Sequence, residues 1–261
     1  CDILSAGITK LPTWGTDTLS SQISLMAGGS ALNSVVHGAN YCAWAKLPME
    51  LVIFSSIGDD FQGKLCRERL QAANVVDKVI TKSEYCTGCC IVLSGETDRC
   101  FVTHGGCIEN MTIDWFELEA LLSADHIHIA GFYNCRQLQP KLLPLLMEAK
   151  RRRLTTSLNP QYDALDKWEG LSVLCPYLDI IICNEEEVVA LAKASVDVSS
   201  QCPTVGGSST AIPPMAADRG AAAAAAEMIV QAWGCKIVVV TSGSHGSTAY
   251  FHYHDSSSSS S

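Results

Sequence analysis

Nowhere in the sequence do 18 apolar residues follow one another, so no segment is long and apolar enough for a membrane-spanning helix. Basic residues are scarce: 18 Lys and Arg stand against 27 Asp and Glu, a formal net charge of −9. A chain this acidic is a poor match for nucleic acid or an anionic membrane surface, because both need a basic footprint. The one dense basic run, Arg151-Arg152-Arg153, follows an apolar helical stretch and reads as a solvated helix C-terminus that complements the dipole. Several catalytic signatures are missing too. There is no G-x-x-x-x-G-K-[ST] loop, no G-x-G-x-x-G after a strand, no G-x-S-x-G elbow and no H-E-x-x-H. P-loop, dinucleotide and zinc-protease readings lose their main support.

What is present is apolar and rich in cysteine. With 48% hydrophobic residues over 261 positions, the chain can bury a sizeable core, and disorder of its bulk is excluded. The thirteen cysteines are scattered through apolar segments, which favours buried free thiols in a reducing, cytoplasmic compartment. Cys86-x-x-Cys89 has the spacing of half a zinc site, but Cys100 and Cys107 lie seven apart, so free thiols on strands are the preferred reading. Cys1-Asp2-Ile3-Leu4 reads as the tail of a strand already under way, and Ser256 to Ser261 as a disordered serine run. The expectation is an internal piece of a longer protein, with any targeting peptide lost from its start.

Hydrophobic spacing predicts alternating strands and helices. Residues 17–26 alternate as a strand, and Gly28-Gly29-Ser30 opens a helix with Leu32, Val35, Val36, Ala39 and Ala43 on its apolar face. A strand over 51–57 runs into Gly58-Asp59-Asp60 and a helix over 61–73. Short strands at 78–82, 89–94 and 99–103 read as antiparallel hairpins. Helices at 114–123, 136–152, 164–172, from 185, and at 219–233 then alternate with strands at 126–130, 154–158, 178–183 and 236–241. Buried strands separated by helices predict an α/β fold with a mostly parallel central sheet covered on both faces, plus a small antiparallel sheet. Residues 194–218 read as a surface loop insertion and residues 1–255 as a single, incomplete domain.

Four places can carry chemistry, and each also has an ordinary structural reading. Gly28 and Gly29 let a ligand approach a helix N-terminus closely, and Asn33 can donate to a hydroxyl; otherwise this is a strand-to-helix turn capped by Ser30. Asn184-Glu185-Glu186-Glu187 follows an apolar strand. It is either a capping box or, at the C-terminal end of a parallel strand, a carboxylate for a water-shelled Mg²⁺. Thr241-Ser242-Gly243-Ser244-His245-Gly246 is either a hairpin turn or a backbone cradle for phosphate. His126-x-His128 and His252-x-His254 each put two imidazoles on one strand face and read as hydrogen-bonded histidines rather than metal ligands.

Taken in order, these pieces resemble the PfkB (ribokinase-like) carbohydrate kinases over nearly the whole chain. Asp2 precedes Leu11-Pro12-Thr13-Trp14-Gly15; Gly28-Gly29-Ser30-Ala31-Leu32-Asn33 matches G-G-x-x-x-N; and Gly58-Asp59-Asp60-Phe61-Gln62-Gly63 matches G-x-D-x-x-G. Asn184-x-x-Glu187 and Thr241-x-Gly243-x-x-Gly246 look like the motifs of the nucleotide end. The resemblance implies a β-sheet lid from segments near 11–27 and 86–107, and an ATP-dependent phosphotransferase acting on a hydroxymethyl group. It implies that Asp2, Gly28, Gly29 and Asn33 hold sugar or ribose hydroxyls, and that Glu187 serves Mg²⁺ with Asn184 at the phosphate chain. Thr241, Gly243 and Gly246 would lie against the ATP phosphates. It further implies a small-molecule sugar or nucleoside as partner, with pairing of two copies through the lid.

One departure stands out: the family's G-A-G-D motif, source of the catalytic base and anion hole, occurs nowhere in these residues. Loss of a general base costs roughly 10²–10⁴ in rate, so the chain as given is expected to be inactive. The alternatives are a nucleoside kinase of the adenosine type and a non-catalytic sugar- or nucleoside-binding module.

Overall fold

The computed structural model describes residues 1–96, 98–199 and 219–251. They divide into two compact units, one of Cys1–Leu118 with Asn134–Leu138, the other of Glu119–Tyr133 with the chain from Gln139 onward.

The first unit begins with β1 (Asp2–Ala6), β2 (Gln22–Met26) and α1 (Ser30–Ala45). It continues through β3 (Val52–Ile57), α2 (Phe61–Ala72), β4 (Val76–Thr81), β5 (Cys89–Ser94), β6 (Arg99–His104) and the single-turn α3 (Cys107–Asn110). Four strands form a sheet in the order β2-β1-β5-β6, while β3 and β4 pair with each other. The apolar stripe of α1 packs Leu32 and Val36 with Ile53, Ile57, Cys66 and Leu70. Burying each such side chain contributes roughly 1.5–3 kcal/mol, which outweighs the weak helix propensity of its two valines.

Three expectations need correction here. β1 lies outside the segments expected to form the small sheet, yet it sits inside the four-stranded sheet, antiparallel to β2 and parallel to β5. β4 is not part of a hairpin either, since it runs parallel to β3 with Val52 opposite Val76. The reason is α2, a twelve-residue crossover that returns the chain in the same direction. The β5–β6 pair is antiparallel, as expected. The strand expected over 17–26 forms only at its last five residues, β2.

In the second unit, α4 (Leu118–Leu122) starts at the boundary and is followed by β7 (His126–Ala130), α5 (Gln139–Arg151), β8 (Thr155–Asn159) and β9 (Ile180–Asn184). Next come α6 (Glu185–Ser199), α7 (Arg219–Trp233), β10 (Ile237–Thr241) and β11 (Ser247–Phe251). The sheet order is β11-β10-β9-β8-β7. β7 to β10 are parallel, and β11 turns back antiparallel on β10. Leu142, Leu146, Leu158, Ile181, Leu191 and Ile229 are fully buried.

The expected helix over 164–172 is absent. Asp163, buried, accepts the backbone N–H groups of Leu165, Lys167 and Trp168, and Asp166 and Trp168 adopt positive φ. A carboxylate that collects three donors in a bend offers the backbone an alternative to helix. The helix expected over 114–123 breaks into a 3₁₀ turn at Ile113–Trp115 and the short α4. α6 extends through Ser199, so residues 194–199 of the expected loop are helical; its remainder, the serine run and His252-x-His254 lie outside the described residues.

Candidate functional site

The acceptor-type residues all belong to the first unit. Asp2 starts β1 opposite Met26, the last residue of β2, and the chain then turns through Gly28 into α1. A Cβ at Gly28 would lie 1.9 Å from Asp2 Oδ2, so the carboxylate occupies the room a side chain would take. The Cys1 nitrogen donates to Gly28 O (3.4 Å) and Gly88 O (3.1 Å), which ties the turn to the neighbouring strand. Gly29, not Ser30, is the N-cap: its φ of 111° suits glycine, and no side chain caps the helix. Asn33 sits in the first turn, its N–H on Gly29 O at 2.9 Å and its side chain exposed. The structure thus brings Asp2, Gly28, Gly29 and the start of α1 together. The positive end of the α1 dipole faces this turn, which suits a polar or anionic ligand.

The G-x-D-x-x-G stretch is a structural knot. Asp60 caps α2 through Gly63 N–H (2.8 Å) and also accepts from Thr87 N–H (2.7 Å) and Thr87 Oγ1 (2.6 Å). Thr87 Oγ1 in turn accepts from Gly58 N–H at 2.9 Å. A Cβ at Gly58 would sit 2.5 Å from Tyr85 O, and one at Gly63 2.5 Å from Gly58 O. Burial pushes the Asp60 carboxyl up, but the bonds from Thr87 and Gly63 outweigh it and hold it below the usual range. Its work is to fasten α2 to the loop that leads into β5.

The nucleotide-type residues all belong to the second unit. Thr241 ends β10 and is paired with Asn184, which ends β9, so both motifs meet at the C-terminal edge of parallel strands. Asn184 N–H donates to Glu187 Oε2 (3.0 Å), and Glu187 N–H donates to Asn184 Oδ1 (2.8 Å). This is a reciprocal capping box. Glu187 is only 7% exposed, and burial raises its carboxyl above the ordinary range. A cation beside it would favour the charged form. A single carboxylate of this kind suits a Mg²⁺ that keeps most of its water and takes other oxygens from phosphate.

After Thr241 the chain makes a 3₁₀ turn at Gly243–His245, and Ser242 N–H closes the loop on Gly246 O at 2.8 Å. Gly243 and Gly246 have φ of 54° and 90°, and nothing lies within 4 Å of the position of a Cβ on either. Glycine is required there by backbone conformation, not by crowding.

Asn159 and Gln161 also stand at this edge, and the sequence reading did not single them out. Asn159 ends β8 on the same edge, donates to Ile182 O at 2.9 Å and accepts from Gln161 Nε2 at 3.0 Å, with Gln161 at φ 61°. Polar residues directly after a buried strand, with a proline between them, were the available signal. His126 and His128 share Ser157 Oγ (2.7 and 2.8 Å), and His126 also meets Thr155 Oγ1 at 2.8 Å, so both are hydrogen-bonded as expected. Among the described residues, no three His, Cys, Asp or Glu side chains group around a metal position, and twelve cysteines are free.

Asn184, Thr241 and the start of α6 meet at the carboxyl ends of parallel strands, the edge at which open α/β sheets bind ligands. The chain belongs to the pfkB family of carbohydrate kinases: the family's model, described as pfkB family carbohydrate kinase, matches residues 6–257. Over 189 residues it is 24% identical to an adenosine kinase of Dictyostelium discoideum, covering 70% of this chain and 54% of that protein. Over 184 residues it is 28% identical to an adenosine kinase of Schizophyllum commune, covering 67% and 51%. The chain therefore spans about half the length of the curated relatives it matches. Among solved structures, the ribokinase of Cryptococcus neoformans var. grubii in complex with ADP aligns with a TM-score of 0.69 at 20% identity, over 96% of this chain and 72% of that one. The fold is ribokinase-like.

Proposed function

We propose that the protein containing this chain transfers a phosphoryl group from ATP to a hydroxymethyl group of a sugar or nucleoside. The observation that carries this reading is the register of Thr241 with Asn184, which puts N-x-x-E and T-x-G-x-x-G side by side at one sheet edge. In this reading Asp2 accepts acceptor hydroxyls, Asn33 donates to them, and Gly28 and Gly29 let the acceptor reach the helix start. Asn184 orients the phosphate chain, and Thr241 with the amides around Gly243 and Gly246 takes up phosphoryl charge. Mg²⁺, held through Glu187, would offset the charge of the phosphates when bound. Asn159 and Gln161 lie on the same edge and extend the polar surface there.

Among acceptors, a nucleoside is favoured by one feature of the first unit. On the face of the four-stranded sheet that bears Asp2, register places Met26, Cys90, Leu4, Val92 and Phe101 near it, together with Ser24 and Thr103. The apolar and aromatic members of that surround suit a base better than a bare sugar. Both curated relatives named above are adenosine kinases. The opposite face carries Leu25, Ile91 and Val102 in register and partly exposed, and a second copy of the chain is the partner proposed for it. The free thiols of the described cysteines support a reducing, cytoplasmic setting.

The test is binding by the 261-residue chain itself, since no Gly-Ala-Gly-Asp occurs in it and turnover is expected to be slower by roughly 10²–10⁴. Titration with a fluorescent ADP analogue is expected to show Mg²⁺-dependent binding that Glu187→Gln weakens. Adenosine, more than ribose, is expected to protect the four-stranded sheet from limited proteolysis. No nucleotide binding at millimolar concentration sinks the kinase reading, and protection by ribose alone replaces the nucleoside with a sugar.

A further inference from the structure

Cys86 lies in the loop between β4 and β5, and among the described cysteines it is the exposed one. Its Sγ is 3.1 Å from Nε2 of His104, the last residue of β6, close enough for the thiol proton to be shared with the imidazole. The backbone there is held on both sides. Cys86 O accepts from Cys107 N–H at 2.8 Å, and a Cβ at Gly106 would stand 2.3 Å from that oxygen. The next residue, Thr87, is clamped by Asp60 through its amide and its hydroxyl. A thiol on so fixed a backbone stays beside its imidazole.

Among the other described cysteines, none is exposed. Cys107 is wholly buried, and burial, with Asp60 and Cys86 nearby, pushes its thiol up to about 11. Cys90 accepts from Thr103 Oγ1 at 3.3 Å, and Cys89, Cys90 and Cys100 are half-buried. We propose that Cys86 and His104 form a thiol–disulfide exchange site for a low-molecular-weight disulfide.

The Cys86 thiol gives its proton to His104 Nε2, and the resulting thiolate attacks one sulfur of the disulfide. A new S–S bond forms to Cys86 while the reagent's own S–S bond breaks, and the departing thiolate takes the proton back from the imidazolium. The balance is one protein thiol and one disulfide giving one mixed disulfide and one small thiol. Cys86 then carries a bulky group one residue from the Asp60–Thr87 clamp, at the foot of the four-stranded sheet.

Oxidised glutathione is the probe, with the site and rate of modification followed by peptide mass mapping at neutral pH. Cys86 in the folded wild-type chain is expected to react about tenfold faster than the same residue in urea and than Cys89, Cys90 or Cys100, because His104 stands in place to take the thiol proton as the sulfur attacks. His104→Gln is expected to bring Cys86 down to its unfolded rate and leave the other three unchanged. If Cys86 reacts no faster folded than unfolded, or if His104→Gln leaves its rate unaltered, the proposal is overturned. Should that variant fail to fold, the wild-type comparison decides alone. None of these readouts depends on kinase activity.

Discussion

Asp60 and Gly28 both stand in recognisable motifs, yet the geometry gives them different work. Asp60 accepts three hydrogen bonds, two of them from Thr87, so its charge serves cohesion. Its folded carboxyl is lowered against the unfolded one. The stability it supplies is therefore present above the unfolded value, near pH 4, and is lost as pH falls through the folded one. Asp60→Asn can still cap α2 through Gly63, but its amide then confronts a Thr87 donor. Urea titration at pH 7 is expected to show a loss of about 2–3 kcal/mol, the worth of a charge-assisted bond plus a frustrated donor. At pH 3 the gap to wild type should narrow; an equal loss at both values would mean the charge does nothing. Gly28 behaves otherwise. Gly28→Ala pushes only the far end of the Asp2 side chain, so the unfolding midpoint should barely move while acceptor protection of the sheet is lost. The motif residues were legible in the sequence, but the partner that distinguishes them, Thr87 for one and Asp2 for the other, comes from elsewhere in the chain.

At the level of elements, the junction of β9 and α6 does two jobs with one carboxylate. Asn184 and Glu187 close a capping box, and burial raises the Glu187 carboxyl. A raised carboxyl favours folding below its unfolded value and penalises it as pH rises through the folded one. Glu187→Gln keeps an acceptor for Asn184 N–H and removes that penalty. Its unfolding midpoint is expected to rise at pH 7 and to match wild type at pH 4, while Mg²⁺-dependent nucleotide binding falls. A fall in stability at pH 7 would instead make the cap the residue's main role. This junction was legible because a continuous apolar strand met three acids; β7 and α7 were legible for similar reasons, a bounded apolar run and a strong helix-forming run. The parallel pairing of β4 with β3 was not, because no local pattern tells a crossover from a hairpin. The bend at 163–168 was hidden too, since its cause is one buried aspartate whose three backbone partners appear only in space.

For the molecule as a whole, the four-stranded sheet raises a question of partners that neither its residues nor its elements answer singly. Leu25, Ile3, Ile91 and Val102 fall in one row across β2-β1-β5-β6, and Ile23 and Leu93 flank it on the same face. Ile23 is 72% exposed and Val102 60%. Such a row of aliphatic side chains on a sheet face is costly in water and is relieved when an equivalent sheet covers it. A pair of identical chains related by a two-fold axis gives each row the same surface to meet. The proposed pairing therefore predicts that sedimentation velocity at tens of micromolar detects a dimer. Introducing a charge on each flank, Leu25→Asp with Val102→Asp, should shift the chain to monomer while its far-UV circular dichroism stays that of the folded wild type, because neither side chain belongs to the buried core. A monomeric wild-type chain at that concentration would leave the apolar row without the proposed partner, and a dimer that survives both substitutions would have to be held together by another surface.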